Sequence, residues 1–107
     1  MEISEADKRL RAAARAVFDA FCGSGKSLCA AESCTGGLVA SSLVSIAGAS
    51  GFFRGSAVCY CDAAKISALG VSPLTISEHF AESRQCAEEM ARGALALYGA
   101  DASVAAT

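Results

Sequence analysis

The sequence predicts an α/β fold in which helices cover a largely parallel sheet. Segments with the apolar spacing of an amphipathic helix alternate along the chain with short apolar runs of strand length. Alternation of this kind is typical of parallel sheets with helices on their faces. The 107 residues suffice for one domain with a modest core, and no repeat or linker divides them. We therefore expect residues 1–107 to form a single domain with closely packed, alanine-rich elements.

The first part of the chain is predicted to contain two helices and the strand between them. Ser4 can cap a helix over residues 5–22, because a serine hydroxyl accepts hydrogen bonds from a helix start, and Gly23 can end it. The apolar stripe of this helix consists of Leu10, Ala13, Ala14, Val17, Phe18 and Phe21. A short strand is predicted over 27–31 and a second helix over 35–46.

The middle of the chain continues the alternation. Its glycines indicate a loop over residues 47–55. The apolar run at 56–61 is predicted to be a strand. A helix over 62–69 follows, with Asp62 as its cap.

Two further helices and a last strand complete the prediction. Pro73 starts a short helix after Ser72, because proline is favoured at the first helical position. Ser83 caps a long helix that ends before Gly99, and a third strand is predicted over 102–107. The residues expected to be buried on the long helix are Cys86, Ala87, Met90, Ala91, Ala94 and Leu97.

Charge and hydropathy argue against several classes of partner. The net charge is −2 with no block of like charges, which argues against a nucleic-acid partner. No apolar run approaches the roughly 20 residues that span a bilayer, so no membrane partner is expected. The first stretch, MEISEADKRLRAAAR, is charged where a signal peptide has its apolar core. We expect a cytoplasmic protein.

The six cysteines could form a disulfide scaffold or a metal site, but their spacing favours neither. There is no C-x-x-C pair, and the single histidine, His79, is distant in sequence from every cysteine. Cys59 and Cys61 would point to the same face of the predicted strand, which leaves a soft-metal site open as an alternative. Reduced, buried thiols are the preferred interpretation, and no metal or other cofactor is expected.

The stretch ESCTGG at 32–37 concentrates polar residues and glycines after an apolar strand. It is predicted to be the turn at the carboxyl end of a parallel strand, where open α/β sheets bind ligands. Gly36 and Gly37 let the backbone approach a ligand, and free N–H groups at the helix start can hold an anion or a developing oxyanion. Ser33 lies where a hydroxyl could attack a carbonyl. The alternative is that Ser33 or Thr35 only caps the helix.

A serine nucleophile needs a base. His79 lies in the polar segment SEHFAE and is expected to be solvated. A lysine can serve instead where burial or neighbouring positive charge favours its neutral amine. Lys65 is the candidate, because it follows the second predicted strand. If that strand lies beside the first, its carboxyl end opens onto the same crevice as Ser33.

In combination, these motifs resemble the C-terminal domain of the competence/damage-inducible CinA proteins, whose stand-alone forms are nicotinamide-nucleotide amidohydrolases. The resemblance spans nearly the whole chain. The matching segments are ESCTGG (32–37), GASGFFRG (48–55), Tyr60 with Lys65 five residues later, LGV (69–71), and AEEMARGAL followed by GADASVAAT. The resemblance implies a three-layer α/β/α sandwich around a mixed sheet, assembled as a homo-oligomer, usually a dimer.

The resemblance also implies a reaction and a set of residues. The reaction is hydrolysis of the carboxamide of nicotinamide mononucleotide to the acid and ammonia, without a metal. By position, the catalytic residues would be Ser33 as the nucleophile, Lys65 as the general base and Tyr60 as a polar residue near them. The substrate-binding residues implied are Glu32, Thr35, Gly36, Gly37 and Thr107, with the backbone of 35–37 as the cradle for an oxyanion or phosphate.

The sequence departs from the family pattern in two places. The family continues after the position of Thr107 with a glycine-rich loop, strands and a helix, so we expect roughly the last third of the usual domain to be absent. Phe80 and Glu82 replace a glycine and a valine of the family, and the charge of Asp62 would favour a protonated Lys65. The alternative function is therefore a non-catalytic CinA-like domain or nucleotide-binding module.

Overall fold

Helices and parallel strands alternate along the chain, as the sequence predicts. The computed structural model describes residues 2–107. The helices are α1 (Glu5–Phe21), α2 (Leu38–Val44), α3 (Asp62–Leu69), α4 (Pro73–His79) and α5 (Arg84–Tyr98); the strands are β1 (Leu28–Glu32), β2 (Phe53–Val58) and β3 (Ala102–Ala106); and a 3₁₀ turn covers Ala49–Gly51. None of these helices has the length and apolar character needed to cross a bilayer.

The three strands form one sheet in the order β2-β1-β3, and both pairs are parallel. The α/β prediction is confirmed, and within residues 2–107 the sheet is wholly parallel rather than mixed. Glu32, the last residue of β1, pairs with Val58 of β2 and Ala106 of β3. All three strands therefore end at one edge of the sheet, which we call the carboxyl edge.

Helices pack on both faces of the sheet and give the three-layer arrangement. On one face, Cys29 and Ala31 of β1 pack in a core with residues of α3 and α5, including the fully buried Met90. On the other face, Leu28 packs in a second core with residues of α1 and α2. The small side chains of β1 let both layers approach the central strand, which is buried along its whole length.

The contact between α3 and α5 fixes the position of α3. Gly93 of α5 faces the last turn of α3 so closely that a β-carbon at this position would overlap the backbone of Leu69. Only glycine permits this approach. Leu69 lies about one helical turn after Lys65, so the contact also fixes the helix turn that carries the predicted base.

The position of β2 is three residues earlier than predicted. The strand begins at Phe53, inside the segment 47–55 predicted to be a loop, and ends at Val58. Its pairing with β1 is irregular at Arg54, and the adjacent Gly55 has a φ of 151°. The glycine that indicates a loop in the sequence therefore lies in a bulge within the strand.

Two helix starts also differ from the prediction. α2 begins at Leu38 rather than at 35, because Gly36 and Gly37 have φ values of 61° and 108° and cannot belong to a right-handed helix. The bounds of α3 are confirmed, but Asp62 is its first residue rather than its cap. Cys61 takes the cap position without a side-chain hydrogen bond.

The other predicted helix caps agree with the structure, although α1 and α2 end at Phe21 and Val44, one and two residues earlier than predicted. The hydroxyls of Ser4, Ser72 and Ser83 each accept a hydrogen bond from an N–H group of the helix start, and Gly99 ends α5 in the left-handed conformation. Leu97, predicted to be buried, is 56% exposed. It lines an open cleft of about 540 Å³ beside the last turn of α5.

Candidate active site

The residues that follow the three strands meet at the carboxyl edge. Ser33 follows β1, and its N–H group donates to the carbonyl oxygen of Ala106 in β3 at 2.9 Å. On the other side, the N–H group of Cys59 donates to the carbonyl oxygen of Glu32 at 2.8 Å. These bonds extend the sheet past the end of β1 and fix the backbone of Ser33. The second strand lies beside the first, which is the condition on which the choice of Lys65 depends.

Ser33 and Lys65 are in direct contact. The Lys65 Nζ lies 3.0 Å from the Ser33 Oγ, a distance over which a proton can pass between them. Both residues are buried, with 2% of Lys65 and 7% of Ser33 exposed. Lys65 and Leu69 form the buried side of α3, so the packing of this helix brings the amine to the end of β1.

Lys65 lies near two buried thiols, Cys59 and Cys86, and forms no ion pair within residues 2–107. In the part of the chain that the structure describes, no Asp or Glu forms an ion pair with Lys65. Asp62, expected to favour its protonated form, is exposed and makes no such pair. Burial raises the pKa of the Cys59 and Cys86 thiols, and a positive charge on Lys65 would offset this only in part. The thiols are therefore uncharged near neutral pH.

The turn over residues 33–37 joins β1 to α2, and we call it the serine turn. Two hydrogen bonds close it: the Gly36 N–H donates to the Ser33 carbonyl, and the Leu38 N–H donates to the Thr35 carbonyl. Three more backbone N–H groups of the turn have no partner within residues 2–107, those of Cys34, Thr35 and Gly37. These groups are available to hydrogen-bond an anionic or polarised oxygen.

Glu32 is wholly buried beside the serine turn and accepts four hydrogen bonds. The donors are the Thr35 Oγ1 (2.8 Å), the N–H groups of Val39 (2.8 Å) and Ala40 (3.2 Å), and the Ser56 Oγ (2.7 Å). Burial alone would raise the pKa of this carboxyl, but the hydrogen bonds outweigh burial and hold the pKa below its usual value. The N–H groups of Val39 and Ala40, at the observed start of α2, are therefore bound to Glu32 and are not free to hold a ligand.

Tyr60 and Thr107 also follow strands at the carboxyl edge, and neither hydrogen-bonds to Ser33 or Lys65. Tyr60 is 79% exposed. The Thr107 hydroxyl donates to the carbonyl oxygen of Ala81 at 2.9 Å. The structure thus brings the predicted nucleophile and base together and leaves Tyr60 open to solvent.

The cysteines are free thiols throughout the described residues. Cys59 is buried and Cys61 is exposed, and both lie beyond the end of β2. The prediction that they share one face of a strand is therefore wrong. Nowhere in residues 2–107 do three His, Cys, Asp or Glu side chains gather in a way that could hold a metal ion. His79 is exposed at the end of α4.

Sequence reasoning missed Ser56, which donates from β2 to Glu32. Ser56 pairs with Ala30, and Val58 pairs with Glu32. Since alternate residues of a strand share a face, Ser56 and Glu32 lie on the same face of the sheet. The sequence carries no signal for this contact, because it depends on the register of β2 against β1, which the bulge shifts.

A family model and similar known proteins all indicate the same family. The family model of the CinA C-terminal domain matches residues 10–107. A CinA-like protein of Mycobacterium sp. (strain JLS) is 49% identical over 83 residues, which are 78% of this chain and 20% of that protein. A CinA-like protein of Chlorobaculum tepidum is 52% identical over 77 residues, 72% of this chain and 18% of that protein. The chain spans about a fifth of the curated relatives it matches.

Solved structures match over most of this chain. The competence/damage inducible protein CihA from Agrobacterium tumefaciens superposes with a TM-score of 0.83 at 39% identity, covering 98% of this chain and 62% of that one. The competence damage-inducible protein A from Klebsiella pneumoniae superposes with a TM-score of 0.77 at 40% identity, covering 91% and 58%. About two fifths of each solved chain therefore has no counterpart here.

Proposed function

This chain belongs to the CinA C-terminal domain family, and on that premise we propose that it hydrolyses the carboxamide of nicotinamide mononucleotide to nicotinate mononucleotide and ammonia. The observation that carries the proposal is the buried contact of 3.0 Å between the Ser33 Oγ and the Lys65 Nζ. A serine hydroxyl is a weak nucleophile until a neighbouring base takes its proton, and the Lys65 amine lies where such a base is needed.

The proposed reaction has two halves. In the first, the Ser33 Oγ attacks the amide carbon while its proton moves to the neutral amine of Lys65. The tetrahedral intermediate then loses its C–N bond, and Lys65 returns the proton to the nitrogen, which leaves as ammonia. In the second half, water attacks the ester, Lys65 again takes a proton, and the acid leaves as Ser33 recovers its hydrogen.

The serine turn supplies hydrogen-bond donors for the intermediate. The unpartnered N–H groups of Cys34, Thr35 and Gly37 are the donors proposed for the oxygen that becomes negatively charged. Fixed backbone donors need no reorganisation at the moment of reaction, and one such donor typically contributes about 10²–10³-fold to the rate.

The open part of the carboxyl edge is where we propose that the nucleotide binds. Tyr60 is available for contact because most of its side chain is exposed. Gly36 has no neighbour within 4 Å of where a β-carbon would be, so the backbone there is open to a ligand. Thr107 lies on the opposite side of Ser33 from Tyr60, because β3 and β2 flank β1.

Ammonia release from nicotinamide mononucleotide, followed with a coupled assay, tests the proposal. We expect the unsubstituted chain to release ammonia and Ser33→Ala to lose several orders of magnitude in rate. Equal unfolding curves in urea for the two proteins would show that the substitution leaves the fold intact. Near-normal turnover by folded Ser33→Ala would exclude Ser33 as the nucleophile.

A nucleotide-binding module without turnover is the second candidate. The observation that favours it is that little of Ser33 is exposed, so its hydroxyl offers a substrate little open surface. Titration calorimetry with nicotinamide mononucleotide separates the two functions. Heat of binding without ammonia release would support the binding module and contradict the hydrolase.

A further inference from the structure

We infer that Glu32 is a positioning residue: it holds the serine turn in the shape that the reaction needs and does not touch the substrate. The inference rests on the proposed function, because it assigns a role within that site. It differs from the sequence prediction, in which Glu32 is one of the substrate-binding residues.

Glu32 faces away from the reacting atoms. Successive side chains of a strand point to opposite faces of the sheet, and the observed contacts follow this rule. Glu32 contacts the start of α2 and Ser56 of β2, whereas Ser33 contacts Lys65 of α3. Any influence of Glu32 on the Ser33 hydroxyl must therefore pass through the backbone between them.

The carboxylate has no acceptor site left for a ligand. Two carboxylate oxygens offer about four lone-pair sites, and four donors within the chain already occupy them. The side chain is also wholly buried. A direct bond from the substrate to Glu32 would require breaking one of these four bonds.

These hydrogen bonds fix the serine turn at its middle and at its end. The Thr35 hydroxyl is bound to the Glu32 Oε1 within the turn, and the Val39 and Ala40 N–H groups bind the same carboxylate at the start of α2. Gly37, at the cap position of α2, has no side chain that could satisfy these donors. Glu32 supplies the cap from the preceding strand, so the turn need not rearrange to satisfy the helix start.

The consequence concerns the backbone donors of the serine turn that have no partner. The Cys34, Thr35 and Gly37 N–H groups have no partner in the described chain, and the bonds to the Glu32 carboxylate hold the turn without using these groups. Removing the charge of Glu32 would weaken the hydrogen bonds that hold the serine turn. Because a displacement of about 1 Å of reacting groups can cost on the order of 100-fold in rate, a shift of the turn that carries Ser33 should slow the reaction.

A covalent probe tests this inference without relying on the substrate. An alkyl fluorophosphonate reacts with an activated serine: the oxygen bonds to phosphorus, fluoride leaves, and the base takes the serine proton. We would measure the rate of phosphonylation of Ser33 by mass spectrometry, normalised to the folded fraction. We expect about 10- to 100-fold slower labelling in Glu32→Gln and a smaller decrease in Ser56→Ala, which removes one bond to Glu32 and lies outside the turn.

Glu89→Gln is the matched control. Glu89 accepts hydrogen bonds from the Ser72 N–H and the Thr75 hydroxyl at the start of α4, and these bonds hold its pKa below the usual value. It therefore resembles Glu32 in kind but supports a different helix. Glu89→Gln should lower stability but leave the labelling rate of the folded protein within about twofold of the unsubstituted rate, because Glu89 lies away from the serine turn. If a general loss of rigidity were enough to slow labelling, Glu89→Gln would slow it as well.

The outcomes separate the two proposals. Labelling of folded Glu32→Gln and Ser56→Ala at the unsubstituted rate would overturn the positioning role while leaving the proposed function intact. Absence of Ser33 labelling in the unsubstituted protein would overturn both. In the ammonia assay, we expect Glu32→Gln to lower kcat with KM within about twofold, since the residue does not bind the substrate. A raised KM with unchanged kcat would overturn positioning in favour of binding.

Discussion

Gly93→Ala perturbs the contact that places the predicted base. A β-carbon at residue 93 would lie 2.7 Å from the carbonyl carbon and 2.8 Å from the Cα of Leu69, and closer still to the carbonyl oxygen. Ordinary van der Waals contact begins at 3.4 Å. Since the obstructing atoms are backbone, no side-chain rotation relieves the overlap, and α3 must move away from α5 by more than half an ångström.

The magnitude follows from two opposing effects. Alanine is favoured over glycine in a helix interior by about 1 kcal/mol. Overpacking typically costs about 1–3 kcal/mol, occasionally more, and a backbone obstruction places this case at the upper end. We therefore expect Gly93→Ala to lower the free energy of unfolding by about 2 kcal/mol or more.

The measurement is urea unfolding followed by circular dichroism, with Gly51→Ala as the control. Gly51 has no heavy atom within 4 Å of the position that a β-carbon would take and no positive φ, so its substitution should stay within about 0.5 kcal/mol. A Gly93→Ala variant as stable as the unsubstituted protein would show that α3 and α5 can separate freely. It would refute the view that their contact holds Lys65 in place.

Two further predictions concern pH and association. Because the pKa of Glu32 is lowered from 4.5 in the folded state, the stability that its carboxylate contributes is present above pH 4.5 and is lost as the pH falls toward the lowered pKa. In urea titrations, Glu32→Gln should therefore lower the free energy of unfolding by about 2–4 kcal/mol at pH 7 and by progressively less in acid, whereas the surface variant Glu88→Gln should change it little. A cost of Glu32→Gln that does not depend on pH would contradict the assignment. In the described residues β3 pairs only with β1, its Val104 is 44% exposed, and Val104 lines an apolar groove of about 250 Å³. Because an unpaired strand edge can pair with another chain, we expect sedimentation to show a homo-oligomer that Val104→Lys weakens. A monomer at all concentrations would contradict this prediction.

The local parts of the fold can be predicted from the sequence. Helix caps such as Ser4 and Ser83 act within one turn of chain, so their hydrogen bonds depend on few residues. The strand β1 is also evident, because both of its faces are buried and its residues form an apolar run. Ser33 and Lys65 can be proposed because each follows a strand, and parallel strands bring such residues to one edge.

The remaining features depend on contacts between distant segments. A glycine usually indicates a loop, but Gly55 lies in a bulge within β2, so the sequence places the start of this strand too late. For the same reason the sequence does not reveal the register that brings Ser56 to Glu32. The role of Glu32 is hidden for the same reason. Its four donors come from three segments, and only the fold shows that they fill the carboxylate and leave none of it for a ligand.

The central claim is that Lys65 takes a proton from Ser33, and the most direct test is the rate of ammonia release from nicotinamide mononucleotide by Lys65→Arg beside Lys65→Ala. Arginine keeps the positive charge but cannot lose a proton near neutral pH. If Lys65 is the base, both variants should lose about three or more orders of magnitude in kcat while remaining folded in urea titrations. Turnover by Lys65→Arg close to that of the unsubstituted chain would show that Lys65 supplies only charge and would contradict the mechanism.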